Sequence, residues 1–317
     1  MSRTARTASQ ESPVHAISDA DFGLLTELLR ARTGIDLSHS KKPLLAARLF
    51  ERMAALNITS FGDYYSRVLS DPAGELTRMT DAVCTNETRF FRDEEQSKFL
   101  VEKWFPSWFA KVQEEGKPVG RTAEKPAAPK RLRVWSAGCS TGQEAFTIAM
   151  LLLIQISPER NFALEVLGSD LSNVAIEKAR AARFDAASML EIPKPYRSRF
   201  FTTDPKTGDH VPKPELRNVV RFHRFNLFDW YYPVTGKFDL ILCRNVLIYF
   251  NAETRAKVAR KLAERLSPNG ALVLGMTESL LATRDRKSLS RGSPQELWPG
   301  LPPVEVVGPA TYAFARR

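Results

Sequence analysis

From residue 131 onward the chain alternates short apolar runs with helical ones, and this alternation limits its fold more than any other feature. RLRVWSAG (131–138) carries Leu132, Val134 and Trp135 into a glycine turn, and a helix is expected over 142–156. Further strands are expected over 164–170, 219–227, 238–246 and 271–276, with helices over 173–183 and 253–266, the last ending at SPNG. Parallel neighbours need long crossovers, which helices supply, so the pattern predicts an α/β domain with a mostly parallel sheet covered on both faces. The stretch 196–221, with RFFTTDPKTGDHVPKPELR, breaks the rhythm and reads as an insertion. Two more strands are expected near 304–307 and 311–314.

Upstream, the period changes. Ser18 with Asp21 three residues on suggests a capped helix start, followed by Phe22, Leu25, Leu28 and Leu29 at helical spacing. Leu44, Leu45, Leu49, Phe50 and Met53 mark a second helix, and 64–69 and 76–83 two shorter ones. A small all-helical domain over 17–90 follows from this, behind a disordered tail at 1–16. A connecting helix and a Pro- and Lys-rich linker, EGKPVGRTAEKPAAPK, fill 91–130, leaving 131–317 to the sheet domain.

Composition narrows the setting. The first residues lack the apolar stretch of a secretory signal, and the longest apolar run (148–156) falls short of the ~18 residues of a membrane span. Cys84, Cys139 and Cys243 are widely spaced with no CxxC pair, so neither a disulfide framework nor a metal site is expected, as suits a reducing cytoplasm. The formal net charge of +10 points to an acidic partner, either nucleic acid or an acidic protein surface.

In sheets of this kind ligands sit at the carboxyl ends of the strands. The first strand ends in Ser136-Ala137-Gly138-Cys139-Ser140-Thr141-Gly142-Gln143-Glu144. That is not the GxGxxG of a pyrophosphate binder, and Glu144 at the helix start suits a cationic ligand or, equally, the helix dipole. Asp170, ending the second strand, can accept the hydroxyls of a ribose or cap the next helix. Asn226 could read an adenine edge with Leu227 packed on the ring, and the fourth strand ends Cys243-Arg244-Asn245-Val246-Leu247-Ile248-Tyr249-Phe250. Four such strand ends in register point to a nucleoside that carries an amino acid tail.

These residues carry a resemblance. TNETRFFRD (85–93), VWSAGCSTGQEAFTIAM (134–150), GSDLS (168–172), NLF (226–228) and CRNVLIYF (243–250) resemble the CheR-type chemotaxis receptor glutamate O-methyltransferases, in order, with the match running over 17–280. Gln143 and Ala145 stand where the family's turn has glutamate and proline. The resemblance implies a Rossmann-like S-adenosylmethionine-dependent methyltransferase domain, an all-helical N-terminal domain and an inserted antiparallel β-subdomain over about 196–221. It implies S-adenosyl-L-methionine as cofactor, S-adenosyl-L-homocysteine as product, and methylation of glutamates on cytoplasmic helices of methyl-accepting chemoreceptors. By motif position Asn86, Thr88, Arg92, Glu144, Asp170, Asn226, Leu227, Arg244 and Asn245 would contact the cofactor. Tyr249 would lie near the sulfur and methyl, and the FFR segment would reach into the site.

A glutamate with a pKa of about 4.3 is already a nucleophile at neutral pH, so catalysis would rest on alignment, assigned here to Arg92 and Tyr249. Lys41, Lys42, Arg48 and Arg52 lie on or beside one predicted helix and could dock on acidic receptor helices. The rival readings are a nucleic-acid methyltransferase and a cofactor-binding signalling module without turnover. Against the first, no DPPY-like tetrapeptide is present and neither Cys139 nor Cys243 follows a proline. The expected protein is a cytoplasmic monomer without a metal, not inserted in the membrane and not bound to nucleic acid.

Overall fold

The computed structural model describes residues 16–115, 130–156, 162–278, 304–308 and 310–314. They fall into two compact units, one running up to Arg32 and over Asp36–Cys84, the other comprising Thr33–Ile35 and the residues from Thr85 on. The division falls at Cys84, and Asn86, Thr88 and Arg92 belong to the second unit. The expectations for 1–15, 116–129 and 279–303 lie outside the described residues.

The first unit holds α1 (Asp19–Thr33), α2 (Lys42–Ala55), α3 (Phe61–Ser70) and α4 (Glu75–Val83). Helices α1 and α3 start by the same local chemistry. The Ser18 hydroxyl accepts from the Asp21 amide at 3.0 Å and donates to its carboxylate at 2.6 Å, and Ser60 does the same with Asp63 at 3.1 and 2.6 Å. The apolar stripes of all four helices enclose a core of Leu25, Leu29, Leu45, Leu49, Met53, Tyr64 and Met79.

In the second unit α5 (Glu94–Phe99) runs through one π-helical turn into α6 (Phe105–Glu115). Then come β1 (Lys130–Ala137), α7 (Gln143–Gln155), β2 (Phe162–Asp170), α8 (Asn173–Ala181), α9 (Ala186–Leu190) and α10 (Lys194–Phe200). The chain continues through β3 (Phe201–Thr203), β4 (His210–Pro212), α11 (Pro214–Arg217), β5 (Val220–Arg224) and β6 (Phe238–Cys243). It closes with α12 (Ala252–Ala263), β7 (Leu266–Leu274), β8 (Val304–Gly308) and β9 (Thr311–Phe314). The main sheet has the order β5-β2-β1-β6-β7-β9-β8, parallel from β5 to β7, with β9 antiparallel to both its neighbours. The expected mostly parallel sheet and the small antiparallel piece, here the pair β3–β4, are both present.

Alternation along β1 sends Leu132 and Val134 to one face and Trp135 and Ala137 to the other. On the first face α7 is buried continuously from Ala145 to Leu152, in one cluster with Trp104, Phe105 and Trp108, whose helix also meets the sheet at Phe162. On the other face α12 seats Val258, Ala259 and Leu262.

Several boundaries differ from expectation, among them β6, which ends at Cys243 rather than 246, and α12, which ends at Ala263 rather than 266. Helix α8 stops at Ala181 because Ala182 turns left-handed (φ 48°) and closes on the Lys178 carbonyl. Strand β5 ends at Arg224, where the Phe225 amide turns to the Asp170 carbonyl at 3.1 Å. SPNG is not a turn but the start of β7: Gly270, lacking a Cβ, lies against the carbonyls of Phe238 and Asp239, where the register shifts.

Candidate active site

The sheet changes direction of winding between β1, which leads outward to β2 and β5, and β6, which leads the other way to β7. A crevice at the carboxyl ends of these two strands is the place where such sheets hold ligands. Glu144, in the first turn of α7, accepts from the Ser136 hydroxyl at 2.6 Å and from Arg244 Nη1 at 3.2 Å, so the loops after β1 and β6 meet across the crevice. Burial pushes the Glu144 carboxyl above its ordinary range, while Arg244, Ser136 and Arg92 pull the other way.

Arg244 is buried and reaches beyond Glu144, donating from Nη2 to the Arg92 carbonyl at 3.1 Å and to the Asp93 carboxylate. Its Nε is buried without a partner among the described residues. A buried donor left unpaired costs free energy, so a buried guanidinium in this state is set up to receive an acceptor.

Asp170 ends β2 and accepts from two amides, Ser140 N at 2.8 Å and Ser172 N at 2.9 Å, fixing the β1 loop to the start of α8. Ser172 caps α8 by accepting from Ala175 N at 3.2 Å, and the Asn86 side chain approaches it at 3.5 Å. The Asn86 carbonyl accepts from the Ser140 hydroxyl at 3.0 Å, which brings the TNETRFFRD segment to the glycine loop. Thr88 is half-buried on the same segment. Asn226 uses its Oδ1 to accept from Phe228 N at 2.9 Å, and the Leu227 carbonyl receives Tyr232 Oη and Lys261 Nζ, both at 2.8 Å. Asn245 is left-handed (φ 60°), and Tyr249 is half-buried in the 3-10 turn Leu247–Tyr249.

The backbone is tight here. Gly138 (φ 87°) has no room for a Cβ, which would strike the Val246 side chain. Of the non-glycine residues described with positive φ, Phe91, Asp93, Ser140 and Asn245 all stand in these loops. Cys139 and Cys243 are fully buried and their thiols are pushed well up by burial, so neither is a ready thiolate.

Asn86, Thr88, Arg92, Glu144, Asp170, Asn226, Leu227, Arg244, Asn245 and Tyr249 thus all stand at or beside the carboxyl ends of β1, β2, β5 and β6. Asp93 and Glu278 also belong to these loops, and no sequence motif assigns them a role. Asp93 lies within TNETRFFRD, and its partner Arg244 is 151 residues away along the chain, a pairing no local pattern displays. Glu278 follows the fifth expected strand, and its position at a strand end is the signal that marks it.

Lys41, Lys42, Arg48 and Arg52 lie in the other unit, and three of them have partners there. Arg52 forms a two-pronged pair with the fully buried Glu75 at 2.7 and 2.7 Å, and Arg48 donates to the Val83 carbonyl at the end of α4. Lys42 pairs with the exposed Asp19 at 2.5 Å, and Lys41 is exposed.

Residues 86–295 match the profile described as CheR methyltransferase, SAM binding domain, and residues 20–84 match CheR methyltransferase, all-alpha domain. The chain is 33% identical over 281 residues to a chemotaxis protein methyltransferase of Vibrio parahaemolyticus, covering 88% of this chain and 96% of the relative. It is 31% identical over 282 residues to chemotaxis protein methyltransferase 1 of Pseudomonas aeruginosa, covering 87% and 96%. The Escherichia coli K12 chemotaxis protein methyltransferase is 32% identical over 269 residues, covering 83% and 86%. The sheet unit is accordingly a Rossmann-like, S-adenosylmethionine-binding methyltransferase domain, and the chain belongs to the CheR methyltransferase family.

Proposed function

We propose that this protein transfers a methyl group from S-adenosyl-L-methionine to glutamate carboxylates on the cytoplasmic helices of chemoreceptors, forming methyl esters in sensory adaptation. The observation that carries the reading is the Glu144–Arg244–Asp93 cluster at the switch between β1 and β6, with Arg244 Nε buried and unpaired. Alternating charges of this kind suit a zwitterionic amino acid tail: a carboxylate for its ammonium group, a guanidinium for its carboxylate. On this reading we assign Asp170, at the end of β2, to the ribose hydroxyls, and Asn226 and Leu227 to the base. Gly138, where a side chain cannot fit, keeps the loop backbone open to close approach.

Bound S-adenosylmethionine supplies an electrophilic methyl group on a sulfonium. The protein's own task is arrangement. A glutamate acceptor is ionised at neutral pH and needs no general base, so positioning and exclusion of water are what remain for the protein to contribute. Arg92, whose charge is felt at Glu144, and Tyr249, on the turn after β6, are the residues assigned to that alignment. The high thiol pKa values of Cys139 and Cys243 speak against cysteine-based attack on a nucleobase. Among the described residues no helix is long and apolar enough to cross a membrane. We place the protein in the cytoplasm, acting as a monomer on the receptors' signalling helices.

The test is transfer of radiolabelled methyl from S-adenosylmethionine to cytoplasmic receptor fragments, followed by base. Label on receptor glutamates that base releases as methanol is the expected result. Cofactor binding without protein labelling would overturn the assignment in favour of a silent module.

A further inference from the structure

Beyond the end of β7 the chain turns back, and Glu278 is buried, 4% exposed, with its carboxylate pointed into the turns of the neighbouring strand. Its Oε2 accepts from Asn245 N at 2.6 Å and from Gly275 N at 2.9 Å, and its Oε1 accepts from Ile248 N at 3.1 Å. Gly275 has no space for a Cβ because that carboxylate fills it. Three amides from two loops therefore converge on one side chain. Two of them belong to the loop after β6: Asn245, the left-handed residue next to Arg244, and Ile248, the residue before Tyr249.

We propose that Glu278 is a positioning residue that holds the Arg244–Asn245 corner and the Tyr249 turn in register with the end of β7. The loop after β6 bends through a strained φ at Asn245, and a strained residue persists only where its surroundings fix it. The carboxylate does so from both sides of the bend, and among the described residues no other side chain meets those three amides. Both oxygens face N–H donors, so an amide side chain cannot replace it: either orientation of a glutamine would set an NH2 group against a donor. The inference deepens the site proposed above and rests on its assignment of Asn245 and Tyr249.

The test compares Glu278→Gln with Asp239→Asn in the full chain. Asp239 is a half-buried carboxylate at the opposite end of the sheet, accepting from Arg133 N at 2.9 Å and from the Ser267 hydroxyl at 2.8 Å. Amide hydrogen exchange of the ligand-free protein is read first. Faster exchange at Asn245, Ile248 and Gly275 in E278Q but not in D239N is expected, with S-adenosylhomocysteine affinity by calorimetry weakened about tenfold in E278Q alone. If E278Q does not fold, E278D, which keeps the charge and shortens the reach, is expected to give the same local pattern. Unchanged exchange, an equal increase in D239N, or faster exchange with affinity held within about twofold would each overturn the proposal. The exchange result stands even if receptor labelling fails, so the two readings fail separately.

Discussion

Glu144 meets two opposing demands, since burial favours its neutral form and Arg244 its charged one, and burial wins. Its folded pKa lies above the unfolded value near 4.5, so from 4.5 up to the raised value the folded state holds the extra proton. In that window stability falls as pH rises. An ammonium ion docking on the carboxylate would push its pKa back down and release the proton. Affinity for S-adenosylhomocysteine should therefore rise with pH across the window, with proton release visible as a buffer-dependent heat in calorimetry. Glu144→Gln should abolish that dependence and weaken binding about tenfold or more. At the other side of the crevice, Arg92→Ala and Tyr249→Phe should slow methyl transfer by about tenfold to a hundredfold. If turnover and cofactor affinity both stay at wild-type values in the two variants, the alignment role is wrong.

At the scale of elements, the loop after β1 shows how tightly the crevice is built. Gly138→Ala adds a methyl group against Val246 and opposes a φ of 87°, so it should cost at least about 1–2 kcal/mol in chemical denaturation and impair cofactor binding. A variant with wild-type midpoint and affinity would contradict the close approach. The helix carrying Arg48 and Arg52 needs a different experiment from simple charge reversal. Arg52→Glu would set a second carboxylate beside buried Glu75 and unfold the unit, whatever its docking role. Lys41→Glu, on an exposed side chain, should raise the KM for receptor with the unfolding midpoint unchanged, and an unaltered KM would remove Lys41 from any docking face.

The elements themselves were largely legible, because strand and helix periods differ and because four strand ends each carried polar groups: Glu144, Asp170, Asn226 and Arg244. Contacts between loops were not. The Glu278 carboxylate meets amides, and an amide carries no residue type for a sequence to display. SPNG reads as a turn by composition, yet neighbouring β6 draws it into β7. Arg52 looked like a surface cation because its partner, Glu75, lies on another helix.

For the whole molecule, acid tolerance of the helical unit should hang on Glu75. Burial raises its pKa, but hydrogen bonds from Arg52 and Tyr64 outweigh this, and the net shift is downward from 4.5. Its contribution is fully present above pH 4.5 and is lost as pH falls through the lower folded value. Glu75→Gln should cost on the order of 3 kcal/mol at neutral pH and flatten the acid limb, as followed by hydrogen exchange in α2 to α4. A variant with an unchanged acid profile would mean the pair contributes nothing.

The left-handed residues of the crevice, Phe91, Asp93, Ser140 and Asn245, carry one more implication. Glycine at such positions relieves backbone strain, so heat resistance and methyl transfer pull on these codons in opposite directions. A library selected for thermal survival alone would be expected to accumulate changes there early, yielding sturdier proteins that no longer turn over.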